Sequence, residues 1–110
     1  MADRIKSLLG MLEQGRDSAL LRFSLGSEYL AARDFEHAAS HLRRAVELDR
    51  GYSAAWKLLG KCLAELGRRD EAIDAYSQGI AVAGKKGDRQ AVKEMSVFLR
   101  RLQKERPGGD

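Results

Sequence analysis

Apolar residues recur three or four positions apart along almost the whole chain, the spacing of one helix face. The clearest stretch reads Trp56-x-x-Leu59-Gly60-x-x-Leu63, followed by Ala72-x-x-x-Tyr76 and then Gly79 and Ile80. Between its halves Gly67 supplies a helix stop, and Arg68-Arg69-Asp70 a polar turn. A glycine inside a helix costs about 1 kcal/mol against alanine. Gly60 therefore implies a second helix crossing too closely for a Cβ, with Ala72 as the small residue at the crossing. The stretch is expected to be a helical hairpin.

The same hairpin occurs 34 residues earlier. Leu25-Gly26 answers Leu59-Gly60, Tyr29 answers Leu63, Ala38 answers Ala72, Leu42 answers Tyr76, and Ala45 answers Gly79. Period and residue choices together resemble the tetratricopeptide repeat (TPR), with full repeats over 19–52 and 53–86, about two-thirds of the chain. The resemblance implies an all-α superhelix of helical hairpins. It also implies protein binding as the activity. There are departures: Arg22 stands where a large apolar residue is usual, with Phe23 expected to fill the gap. Arg50 and Gly84 stand where a closing proline is usual.

The flanks read as further helices. Over 3–14, Ile5, Leu8, Leu9 and Leu12 form an apolar stripe, with Asp3 as N-cap, Gly15 as stop and Gly10 weakening the middle. This helix is expected to cap the first repeat, because terminal units of a repeat stack need covering. A competing reading folds it into the ligand groove. Asp17 or Ser18 caps the next helix, Arg33-Asp34 makes a turn before a helix over 35–48, and Ser53 caps the second hairpin. That hairpin is expected to end near Ala83, leaving Gly84-Lys85-Lys86-Gly87 as a loop. Asp88 then opens a helix over 88–105 that places Ala91, Val92, Met95, Phe98, Leu99 and Leu102 on one face. It is expected to close the stack; the alternative is the first half of a third repeat. Residues 1–106 thus read as one TPR domain, and 107–110 as a disordered tail.

Composition narrows the class. The 110 residues suit a single domain, and one proline among many Leu, Ala, Arg and Glu argues for helices. No apolar run approaches the roughly 20 residues that span a membrane. The N-terminus lacks a signal peptide's basic start and long apolar segment, so a cytoplasmic location and, from the compactness, a bacterial source are expected. Cys62 is the single cysteine, which excludes an internal disulfide; it is expected to be a half-buried helix residue. The net charge of +4 favours acidic partners without requiring nucleic acid.

Candidate chemistry is sparse. His37 and His41 share a helix face, but Ala38-Ala39-Ser40 lies between them, without the glutamate of a zinc-protease motif, and no third ligand follows. They read as a solvated pair. Carboxylates are scattered, for example Glu71 beside Arg68, and none are paired for acid–base work. Gly84 and Gly87 bracket two lysines but follow a helix, not the strand a phosphate loop requires. No enzyme activity, cofactor or metal is expected.

A repeat stack offers a surface instead. With Trp56, Leu59, Gly60 and Leu63 committed to the core, the opposite stripe of that helix holds Ala54, Lys57, Lys61 and Ala64. The matching stripe of the first repeat holds Leu20, Phe23, Ser27 and Leu30. Leu20, Phe23, Ser27, Leu30, Lys57 and Lys61 are therefore the expected peptide-binding groove. It suits a short segment or partner helix with an apolar side chain and an acidic group or free C-terminal carboxylate. In TPR proteins that bind heat-shock chaperones, a lysine and asparagines on first helices hold such a carboxylate. Lys57 matches the clamp lysine, but Lys61, Ser24 and Leu58 stand where asparagines belong, so the resemblance implies an incomplete clamp. Two other readings compete. Basic residues at Arg43-Arg44, Arg68-Arg69, Lys85-Lys86 and from Arg100 onward raise nucleic-acid binding, but the aromatics keep core spacing instead of interleaving with them. Phe98, Leu99 and Leu102 would serve a homodimer if the last helix leaves them uncovered.

Overall fold

The computed structural model describes residues 2–105. The order is α1 (Ala2–Glu13), α2 (Ala19–Ala31), α3 (Phe35–Leu48), α4 (Ser53–Glu65), α5 (Arg69–Lys85) and α6 (Arg89–Lys104). No strand occurs among the described residues. Helices α2 and α3 form one hairpin and α4 and α5 the next, and α6 packs on α5. First helices also touch across the stack, α2 with α4 and α4 with α6. Helix α6 therefore stands where a third repeat would begin. Among the described residues helix α1 packs against α2 and no other element, so it does not lie across α4. The proposed tail at 107–110 lies outside the described residues.

Helix ends follow local chemistry. The Ser18 hydroxyl accepts the Leu21 amide at 3.0 Å, the Asp34 carboxylate that of His37 at 3.2 Å, and the Asp88 carboxylate that of Ala91 at 3.1 Å. These satisfy amide donors that no helical carbonyl can reach. Three sequence expectations fail here. Helix α1 is already running at Ala2, so Asp3 sits in its first turn, where a negative charge favours the helix dipole, and is not the N-cap. Tyr52 holds the N-cap place of α4, with no side-chain cap, and Ser53 is already helical. Helix α5 continues through Gly84 to Lys85, so the expected loop shrinks to a turn centred on Gly87 (φ 75°). Nothing crowds Gly84, and no proline interrupts the ladder there. The turn of the second hairpin uses Gly67 at φ 75°; its counterpart in the first is Arg33, at φ 61°.

The core runs between the two layers. Leu25, Leu42, Leu59, Leu63 and Met95 are fully buried, and so is Cys62, more deeply than expected. The close crossings are real, but their partners differ from the expected alanine. A Cβ at Gly26 would come within 2.4 Å of Leu42 Cγ, and one at Gly60 within 2.8 Å of the Tyr76 ring. Ala72 is buried, yet Tyr76 is the residue that covers Gly60. A Cβ at Gly79 would likewise meet Met95 Sδ of α6 at 2.5 Å and the Trp56 Cβ at 2.9 Å. The Trp56 indole donates to the Arg50 carbonyl at 2.8 Å, and the Arg50 guanidinium lies over its ring. Arg50 thus works through its backbone and charge where a proline was usual.

Arg22 occupies the place that Trp56 holds one repeat later. Phe23 does not fill the gap; its ring stacks at 4.9 Å on Tyr52, the residue that precedes α4. Arg22 instead donates to both oxygens of Asp17, at 2.8 and 3.1 Å, and to Nδ1 of His41 at 3.1 Å. The first hairpin therefore closes with a polar network where the second uses an indole. Surface pairing also departs from expectation, because Glu71 pairs with Arg43 and Arg68 with Glu36, each at 3.1 Å. Both pairs join neighbouring hairpins instead of neighbouring residues.

Candidate functional site

Because α2, α4 and α6 lie side by side, their outward stripes form one continuous trough. Three clefts open along it, the smallest, of 200 Å³, around Ala54, Lys57, Gln90 and Glu94. Of the two larger, the first, of 320 Å³, is lined by Ser27, Leu30, Ala31, Arg33, Phe35, Leu58, Lys61 and Glu65. The second, of 490 Å³, is lined by Lys57, Leu58, Lys61, Tyr76, Glu94, Val97, Phe98 and Arg101. Leu58 and Lys61 belong to both, so the clefts meet on α4.

Four of the six expected groove residues come together here: Ser27, Leu30, Lys57 and Lys61. The other two do not. Leu20 is 66% exposed near the start of α2, and Phe23 is spent on Tyr52. Sequence reasoning missed Leu58, Phe35 and Arg33. It also missed the α6 wall of Val97, Phe98 and Arg101. The signal for Leu58 was present, since it lies three residues before Lys61 on the groove side. The α6 residues were hidden by reading that helix only as a cap. Phe98 stacks on Tyr76 at 5.7 Å and still leaves 37% of its surface open.

The charges of the trough are unequal. Lys57 Nζ donates to Glu94 Oε1 at 2.9 Å, and the Gln90 amide reaches Oε2 of the same carboxylate at 3.3 Å. These bonds, Lys57 first, hold the Glu94 carboxyl below the usual carboxylate range. By contrast, Lys61, Arg33 and Arg101 have no ion-pair partner among the described residues. The two arginines lie over aromatic rings of the trough, Arg33 over Phe35 at 5.2 Å and Arg101 over Phe98 at 5.8 Å. Such stacking orients a guanidinium while leaving its donors free. The trough thus offers apolar contact and three open cations, but no paired carboxylates.

The histidines sit elsewhere and are not a solvated pair. His37 is exposed and bonds Asp34 at 2.8 Å, whereas His41 is half-buried. Tyr29 stacks on both rings, at 5.0 and 5.5 Å. A guanidinium only donates, so the bond from Arg22 requires Nδ1 of His41 to be an acceptor and the ring to be neutral. Burial, then the Arg22 charge, lowers the His41 pKa below its ordinary value. Among the described residues no group of three or more His, Cys, Asp or Glu is placed to hold a metal ion. No helix among them is long and apolar enough to cross a membrane.

Residues 23–87 match the family model of the tetratricopeptide repeat. The chain belongs to the tetratricopeptide repeat family. TPR repeat-containing protein PA0015 of Pseudomonas aeruginosa is 54% identical over 102 residues, covering 93% of this chain and 97% of that protein. Protein BPP2914 from Bordetella parapertussis, solved in solution, superposes with a TM-score of 0.78 at 48% identity, over 92% of this chain and 88% of that one. The TPR domain protein of Salinibacter ruber, known from its crystal structure, follows at 0.76 and 29%, over 82% of this chain and all of that one. TPR domains are in general protein-interaction modules, not catalysts.

Proposed function

We propose that this TPR protein is a non-enzymatic adaptor that holds a short segment of a partner protein, extended or helical, in the trough along α2, α4 and α6. The observation that carries the reading is the position of Lys61. It is an open cation where two clefts meet, flanked by Leu58 and Leu30 on one side and by Val97 and Phe98 on the other. An apolar side chain gains by leaving water in either cleft, and a neighbouring carboxylate gains Lys61 with Arg101 or Arg33. The preferred ligand is therefore an apolar segment bearing a carboxylate, as a side chain or as a chain end. We place the protein in the cytoplasm of a bacterium, in keeping with its bacterial relatives.

A nucleic-acid role has less support. The described aromatic rings are stacked on neighbouring side chains of the protein, including Phe23 on Tyr52 and Tyr76 on Phe98, instead of forming a platform beside the basic runs. The test is selection of nonapeptides from a random display library. Binders should be apolar with an acidic residue or free carboxylate. Lys61→Glu should weaken them roughly tenfold. Binders without acidic groups, or binders indifferent to Lys61→Glu, would refute the proposal.

A further inference from the structure

The trough contains a carboxylate of its own. Glu94 rises from α6 into the second cleft and takes Lys57 at 2.9 Å, the one ion pair between α4 and α6 among the described residues. The Lys57 ammonium is therefore already engaged. Gln90 braces the far oxygen of Glu94, so the carboxylate is held from two sides. Glu65 also lines the first cleft but makes no ion pair with Lys61, one turn away on the same helix. Lys57 and Lys61 thus differ in condition although they share a stripe: one is neutralised and the other open.

We propose that Glu94 acts as a built-in surrogate for a ligand carboxylate, withholding Lys57 so that incoming acidic segments are read by Lys61 with Arg101 or Arg33. The inference rests on the groove reading above and adds a selectivity to it. A ligand with one carboxylate beside an apolar side chain satisfies Lys61 and meets no repulsion. A ligand with a second carboxylate one turn on arrives at Lys57 and finds Glu94 there, so like charges crowd one ammonium. The trough accordingly favours singly acidic apolar segments over densely acidic ones.

The test uses dye-labelled heptapeptides with blocked ends, a central leucine, and either one or two flanking aspartates. Anisotropy titrations compare the wild type, Glu94→Gln, Lys57→Met and the double variant, each first shown to keep the wild-type helical signal and melting temperature. Glu94→Gln should tighten the two-aspartate peptide about fivefold and change the one-aspartate peptide much less. Lys57→Met should cost more in the Glu94→Gln background than in the wild type, because only there does the lysine meet the ligand. Equal gains for both peptides, or additive effects of the two substitutions, would overturn the surrogate role while leaving the groove intact. Failure of both peptides to bind any of the four proteins would overturn the groove reading, and the surrogate role with it.

Discussion

An alanine Cβ at position 60 would lie 2.8 Å from Tyr76 Cζ and 2.9 Å from two more ring carbons. The Tyr76 ring is 3% exposed and stacked on Phe98, so it has little room to retreat. Overpacking of this kind costs about 1–3 kcal/mol, which outweighs the gain of about 1 kcal/mol from replacing a helical glycine. Gly60→Ala should therefore destabilise. Gly10 and Gly84 have nothing within 4 Å of the added methyl, so Gly10→Ala and Gly84→Ala should stabilise, by up to about 1 kcal/mol. Urea denaturation of the three variants would show the opposite signs. A more stable Gly60→Ala would mean the hairpin crosses less closely.

Trp56 ties its own hairpin to the turn that precedes it. Its ring is 6% exposed, its Cβ fits over Gly79, and its indole N–H bonds the Arg50 carbonyl. Trp56→Ala should cost about 3–5 kcal/mol, enough to unfold much of so small a domain. Trp56→Phe keeps part of the volume but leaves the carbonyl of Arg50 without the indole donor, and should cost about 1–3 kcal/mol. A loss below that range in denaturant titration would show that solvent replaces the hydrogen bond.

His41 makes stability depend on pH. Its folded pKa is lowered, first by burial and then by Arg22, with His37 acting in the same direction and Asp17 opposing. The unfolded chain therefore binds a proton more readily than the folded one. The stabilisation is complete above the ordinary value of 6.5 and is lost as the pH falls through the depressed folded value. Melting temperature should drop on acidification from pH 7 towards 5, and His41→Gln should flatten that part of the profile. An unchanged slope in the variant would remove His41 from the cause.

Burial pushes the Cys62 thiol up to about 11. Only a small fraction is thiolate at neutral pH, and the side chain is fully enclosed. Iodoacetamide should leave the native protein unlabelled over the time in which it fully labels the protein in urea. Rapid native labelling would show that the α4–α5 hairpin opens easily.

Repeat period and helix faces were legible because a 34-residue echo of small and large residues leaves a strong signal in the chain. Gly26 and Gly60 came from that echo as close-crossing positions. What it hid were contacts made across the stack. Tyr76 replaced Ala72 over Gly60 because a side chain from the next turn leans back over the gap, which spacing alone does not show. The groove was half legible: Lys61, Ser27 and Leu30 follow from one helix face each. The Lys57–Glu94 pair required α6 to stand as a third wall, and α6 does not repeat the motif. Arg22 read as a defect in the pattern, yet Asp17 and His41, 5 and 19 residues away, make it a junction.

Amide chemical-shift mapping of the nitrogen-15-labelled protein, titrated with a library-selected apolar peptide bearing one carboxylate, tests the groove most directly. Perturbations should gather at Ser27, Leu30, Leu58, Lys61 and Phe98, and Lys61→Glu should shift their titration to roughly tenfold higher peptide concentration without altering the unligated spectrum elsewhere. Perturbations centred on α1, on the outer helices α3 and α5, or on Arg50, Lys85 and Lys86, and unchanged by Lys61→Glu, would contradict a binding site between α2, α4 and α6.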